Sequence, residues 1–181
     1  MKIIQTELEG VVVIEPDVFG DHRGYFTESY HRARMAEAGF DFDFVQDNQS
    51  FSVQAGTIRG LHYQLHPKAQ TKLVRVIQGA VYDVAVDIRR TSPTFGKWVG
   101  VILSADNHRQ LLVPKGFAHG FCTLVPNTIV AYKVDEYYSP EYDRGIYWGD
   151  ERLGIPWPTS KPVLSDKDAR HPRLHEADLF E

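Results

Sequence analysis

From Lys72 to Ile88 apolar residues either alternate with polar ones or run together: Leu73, Val74, Val76 and Ile77, then Val81, Val84, Val86 and Ile88. Such a run reads as two strands, with Gln78-Gly79 at the break predicted as a hairpin turn. Further strand patterns cover Val11 to Ile14, Trp98 to Leu103, Gln110 to Val113, Gly116 to Leu124 and Thr128 to Val134. Turn signals separate them at Asp106-Asn107, Pro114-Lys115-Gly116 and Pro126-Asn127. One stretch reads as helix, the alanine-rich His31 to Ala38, closed by Gly39 at the position that favours a left-handed residue. From Gly154 onward the chain is proline-rich and polar, and is predicted to wrap the strands as irregular chain with a short helix. Short strands at this spacing predict an all-β jelly-roll sandwich or barrel with a few short helices.

With 181 residues and no repeat, charge block or Gly/Ser linker, residues 1–181 read as a single domain. Apolar residues make up 43% and charged residues 24%, which excludes disordered and low-complexity classes. The formal charge of −4 argues against a nucleic-acid partner, because neutralising phosphates needs a basic surface. The lone Cys122 allows no internal disulfide, and its apolar neighbours predict a buried core residue. The longest apolar stretches are strand-sized, far below the ~20 residues of a membrane helix, and the N-terminus has no signal-peptide core. No membrane partner is expected, and the cytoplasm is the expected location.

Two histidine-bearing segments carry candidate chemistry: Arg59-Gly60-Leu61-His62-Tyr63-Gln64-Leu65-His66, followed by Lys72, and Pro114-Lys115-Gly116-Phe117-Ala118-His119-Gly120. In a small β-barrel they resemble the two metal-binding motifs of cupins. The first departs from that pattern, with Gln64 at the partner position and no acid between His62 and Gly79, only Lys68, Lys72 and Arg75. Cations in the pocket oppose a divalent ion and an amide is a poor replacement for imidazole, so no metal is expected. A metal-free site suits proton abstraction beside a carbonyl: His62 as base, Lys72 stabilising the enolate oxygen, and Tyr132 returning the proton. Singly, a strand histidine is more often a hydrogen-bonded core residue, a lysine a solvated one and a strand tyrosine a packing one. Their conjunction points to chemistry.

Seven segments in order make the pattern specific: Phe19 to Tyr30, Phe44 to Asn48, Arg59 to His62, Lys72 to Arg75, Asp83 to Arg89, Pro114 to Phe121 and Tyr137 to Pro140. Together they resemble the dTDP-4-dehydrorhamnose 3,5-epimerase family, from about residue 3 to about residue 170. The resemblance implies a cofactor-free cupin enzyme epimerising C3 and C5 of a dTDP-4-keto-6-deoxy sugar. It assigns His62 as proton acceptor, Tyr132 as donor, Lys72 beside the C4 oxygen, and Asp168 as the acid that orients the base. It places Arg23, Glu28, Gln46, Asn48, Arg59, His119 and Lys167 at the substrate, with Phe26 and Tyr138 offering aromatic faces. Asp143 stands where the family commonly has glutamate, one methylene longer. A homodimer is implied, with exchange of β-structure expected around Val11 to Ile14 and Phe26 to Tyr30. The rival readings are an epimerase of one carbon only, a ketoisomerase, a non-catalytic nucleotide-sugar-binding barrel and a metal-dependent cupin oxygenase.

Overall fold

The computed structural model describes residues 1–181. Thirteen strands and one helix follow in order: β1 (Lys2–Gln5), β2 (Val12–Glu15), β3 (Val18–Asp21), β4 (Gly24–Thr27), α1 (Arg32–Glu37), β5 (Gln46–Ser52), β6 (Ile58–Gln64), β7 (Lys72–Gln78), β8 (Ala80–Asp87), β9 (Trp98–Ser104), β10 (Gln110–Val113), β11 (Phe117–Thr123), β12 (Thr128–Val134) and β13 (Asp143–Gly145). A single 3₁₀ turn, Asp168–Arg170, interrupts the C-terminal segment. Helix α1 begins at His31, whose ring accepts from the Arg34 amide, and ends at Ala38 and Gly39, the latter at φ +91°.

Two antiparallel sheets face each other, six-stranded in the order β1-β2-β10-β7-β12-β5 and five-stranded in the order β13-β6-β11-β8-β9. The hairpin β3–β4 stands apart as a third, two-stranded sheet. This is the jelly-roll sandwich that the strand spacing predicts. The Gln78-Gly79 break is a correction. Strands β7 and β8 lie in different sheets, so the turn carries the chain across the sandwich and forms no hairpin. Gly79 makes this corner possible: its φ is +82°, and a Cβ there would lie 2.4 Å from Thr128 Oγ1.

The continuous apolar run of β8 has a physical reason. Val81 and Ala85 point between the sheets, where they pack with Val74, Val76, Leu111, Phe117 and Phe121. Val84 and Val86 point outward beneath the C-terminal wrap, joining Leu61, Ile146, Leu174 and Phe180. A strand covered on both faces loses the polar half of its alternation. The wrap is tied down by parallel bridges pairing Thr57 with Val163 and Arg89 with Phe180. A third cluster, Val12, Ile14, Leu73 and Leu112 with Met35 of α1, covers part of the outer face of the six-stranded sheet. Cys122 is fully buried, as expected, and burial pushes its thiol up to about 11. No helix is long and apolar enough to cross a membrane.

Candidate active site

The inner face of the sandwich is apolar at one part and polar at another. Alternation along β7 puts Lys72 on the same inward face as Val74 and Val76, and β12 does the same with Tyr132 and Val130. From the opposite sheet β6 and β11 bring His62 and His119, which are register partners. These four side chains line a hollow of about 410 Å³ with Arg59, Phe121, Lys167 and Asp168. A second hollow of about 230 Å³ adjoins it, sharing His62, Lys72, Tyr132 and Lys167 and adding Gln46, Asn48, Tyr138 and Asp143. Spaces of this size take a small organic ligand.

Strand β6 reaches the cavity twice because its pairing with β11 is irregular. His62 faces His119 and Arg59 faces Phe121, so three steps on β6 match two on β11. Gly60 lies inside this bulge at φ +139°, and a Cβ on it would meet Gly120 Cα at 2.5 Å. The bulge turns both Arg59 and His62 inward. Arg59 is held by Ser52 Oγ at 3.1 Å and the Phe51 carbonyl at 3.0 Å.

His62 Nε2 lies 2.6 Å from Asp168 Oδ1. Asp168 is buried, and its other oxygen accepts from the Gly60 amide at 3.3 Å. Burial alone would raise this carboxyl. Donation from His171, His62 and Gly60 overrides it and holds the group well below the usual carboxylate range. An ionised carboxylate only accepts, so His62 must carry its proton on Nε2 and leave the Nδ1 lone pair free. Burial lowers the His62 pKa, with Asp168 working against that shift and Lys72 and His171 adding to it. The ring is therefore a neutral base at neutral pH.

Lys72 Nζ donates to the His62 carbonyl at 3.4 Å. Burial brings it down to about 8, offset in part by Asp143 and Asp83, so it remains a cation at pH 7. Burial also raises the Tyr132 phenol, which stays protonated. His119 Nε2 pairs with Asp83 Oδ1 at 2.8 Å, and the buried Asp83 Oδ2 has no partner. A neutral base, a cation and a phenol thus share one cavity, a set suited to moving a proton beside a carbonyl.

A cupin metal does not fit these residues. His62, Asp168 and His171 offer ligand atoms within 4.8 Å of one another, but the 2.6 Å His62–Asp168 approach is a direct hydrogen bond. The Gln64 amide is spent on the Lys68 and Tyr137 carbonyls and the Ser139 amide, and the Lys72 ammonium shares the cavity with His62.

Comparison with known proteins agrees with this geometry. The family model described as dTDP-4-dehydrorhamnose 3,5-epimerase matches residues 5–176. The chain belongs to that epimerase family. It is 54% identical to the dTDP-4-dehydrorhamnose 3,5-epimerase of Shigella flexneri, over 99% of both chains. The crystal structure of the Bacillus anthracis enzyme, with TDP and PPi bound, superposes with a TM-score of 0.94 at 62% identity, covering 95% of this chain and 98% of that one. The Legionella pneumophila epimerase, in complex with dTDP-4-keto-L-rhamnose, gives a TM-score of 0.95 at 49% identity, covering 99% of this chain and 97% of that one.

Of the positions that resemblance to the epimerases implies, His62, Lys72, Tyr132, Asp168, Gln46, Asn48, Arg59, His119, Tyr138, Asp143 and Lys167 all gather around the two hollows. The shorter Asp143 pairs with Lys167 and accepts from Tyr138 Oη at 3.4 Å, while Gln46 holds Asn48 at 2.9 Å and the Tyr138 amide at 3.1 Å. Arg23, Phe26 and Glu28 are not brought there within one chain. Arg23 and Phe26 ride on or beside the exposed β3–β4 hairpin, where Arg23 pairs with Asp21, and Glu28 pairs with Arg34 of α1. Strand β4 ends at Thr27, short of the Phe26 to Tyr30 strand that was expected. His171 was missed. Its signal was the spacing to Asp168, three residues along one 3₁₀ turn.

Proposed function

We propose that this epimerase inverts C3 and C5 of dTDP-4-dehydro-6-deoxy-D-glucose to give dTDP-4-dehydro-L-rhamnose. The observation that carries the reading is the convergence of His62, Lys72 and Tyr132 on one cavity, with Asp168 behind the histidine. Both carbons flank the C4 ketone, so one device serves twice. His62 Nδ1 takes the carbon-bound proton, and the bonding pair moves onto the C4 oxygen. The Lys72 ammonium stabilises that developing charge. The pair then returns from the oxygen to carbon as the Tyr132 phenol gives its proton to the opposite face, and before the second inversion the His62 imidazolium releases its proton to solvent and Tyr132 regains one. Asp168 fixes the His62 tautomer and stabilises the imidazolium. No electrons leave the substrate, so the chemistry needs no redox partner.

The dTDP end of the substrate suits the remaining residues. Arg59 and Lys167 provide charge for the diphosphate, Gln46 and Asn48 provide amide edges, and Tyr138 provides an aromatic face for the base. His119, tethered by Asp83, faces the sugar. Arg23, Phe26 and Glu28 complete the site from a second copy of the chain, in a homodimer.

A proton NMR time course in D2O with the dTDP-4-keto sugar tests this reading. The native enzyme is expected to wash deuterium into C3 and C5, and His62→Ala to abolish uptake at both. Full exchange in that variant would remove His62 as the base. Exchange at one carbon only would reduce the activity to a single epimerisation, and tight nucleotide binding with no exchange would favour a binding barrel.

A further inference from the structure

Asp168 is shared by two histidines. Its Oδ1 accepts from His62 Nε2 at 2.6 Å and from His171 Nε2 at 3.2 Å. The second contact sits in a built slot. The His171 side chain is only 8% exposed, and its ring meets His62 edge to face with centroids 5.6 Å apart. That ring fills the space that a side chain at residue 145 would need. A Cβ on Gly145 would lie 2.3 Å from His171 Nε2, and Gly145 is the register partner of His62 across β13 and β6. The chain thus leaves out a side chain directly opposite the base and seats a second imidazole there.

We propose that His171 is a positioning residue for proton abstraction, holding the Asp168 carboxylate in place and limiting how tightly that carboxylate grips the His62 proton. This rests on His62 being the base, as argued above. A carboxylate oxygen that accepts from two donors gives less to each. Without His171, Asp168 keeps only the Gly60 amide on Oδ2 and His62 on Oδ1, and the share of its charge that His171 satisfied goes to His62. The other titratable or charged groups around His62 are Arg59 on its own strand, Lys72 from β7, His119 from β11, Tyr132 from β12, Tyr138 and Asp143 from the segment after it, and Lys167 beside Asp168. None of them bonds Asp168, so none takes over the role.

The test compares His171→Leu, His171→Asn and His171→Gln with the native enzyme by deuterium uptake from D2O across pH. Leu removes the donor, Asn holds its amide one methylene short, and Gln carries an amide nitrogen to the place of Nε2. The Leu and Asn variants are expected to lose about tenfold in kcat with KM within about twofold, the size of one hydrogen bond to a charged group. The acid limb of their kcat/KM profile is expected to move to higher pH, because a more strongly held imidazolium gives up its proton later. The Gln variant is expected to recover most of kcat and the native acid limb. Should His171→Leu fail to fold, Asn against Gln decides. A folded Leu or Asn variant with native kcat and native acid limb would overturn the proposal, as would a Gln variant no better than Asn. Full exchange in His62→Ala would instead sink the reading of His62 as base, so the two failures are distinguishable.

Discussion

In the proposed reaction Lys72 meets two opposed demands. Its ammonium would act most strongly on a developing enolate when buried, yet burial disfavours the charge and brings the group from 10.5 to about 8. The sign follows for stability. Below pH 8 both folded and unfolded chains carry the proton and the fold bears the full desolvation cost. Between about 8 and 10.5 the unfolded chain binds more protons, so stability rises with pH, by about 3 kcal/mol. Lys72→Met is therefore expected to be more stable than the native chain at pH 7 by thermal unfolding, while losing on the order of 10²-fold or more in kcat. The native activity profile is expected to fall on the alkaline side near pH 8 as the ammonium deprotonates, and the variant's residual activity to lack that limb. A residual rate that still fell near pH 8 would assign the limb to another group. Tyr132→Phe is expected to slow reprotonation more than the first exchange, read as deuterium washed in without inversion. At this scale the sequence was legible where residue types formed a chemical set: histidine, lysine and tyrosine with no acid between His62 and Gly79. Asp168 was legible only through family resemblance, because nothing local in Ser165-Asp166-Lys167-Asp168 distinguishes the two aspartates. The structure separates them: Asp168 is buried against two rings, and Asp166 is exposed.

Strand β5 shows why parts of the fold escape a hydrophobic pattern. Its inward positions are Gln46, Asn48, Ser50 and Ser52, polar because Gln46, Asn48 and Ser50 face the cavity, so the strand reads as surface or loop. Strand β6 is obscured by its bulge, which shifts the alternation between Arg59 and His62. Strands β8, β11 and β12 are readable because each sends apolar residues into the core, Val81 and Ala85, Phe117 and Phe121, and Val130. At Gln78-Gly79 the sequence marks the break but not the corner, since a turn residue marks where a strand stops and not which sheet comes next. The bulge also makes a sharp expectation. At Gly60 an added methyl meets the Gly120 backbone in a position that also demands positive φ, so neither strand has a side chain that can yield. Gly60→Ala is expected to cost about 2–4 kcal/mol in chemical denaturation. It should also lower kcat well beyond the folded fraction, because the bulge aims both Arg59 and His62. A folded variant with native kcat would show that the aim of β6 is set elsewhere.

The chain exposes apolar side chains at the β3–β4 hairpin and at the β5 edge of the six-stranded sheet. Phe19, Tyr25 and Phe26 on the β3–β4 hairpin are each more than 60% exposed, and Phe51 and Val53 at the β5 edge are 52% and 62% exposed. A hollow of about 290 Å³ on the outer face of that sheet is walled by Arg75, Ile77, Lys133 and Gln49. Exposed aromatics on a free hairpin and along an unpaired edge strand are features that a second copy of the chain would cover. The same hairpin carries the implied substrate residues that do not reach their own cavity, Arg23 and Phe26, with Glu28 just after it. The proposed homodimer would account for both facts, as a two-fold arrangement in which each hairpin lay over its partner's site. Light scattering at micromolar concentration is expected to show a dimer, and Phe26→Ser to weaken it. Complementation tests the shared site itself. Arg23→Ala and His62→Ala are each expected to be nearly inactive as homodimers. Mixed and refolded in equal amounts, half of the dimers are heterodimers, and one site in each of these combines an intact His62 cavity with an intact Arg23 hairpin. Recovery toward about a quarter of native activity is therefore expected. A monomer in solution, or a mixture no more active than its components, would mean that the hairpin serves no neighbour's cavity.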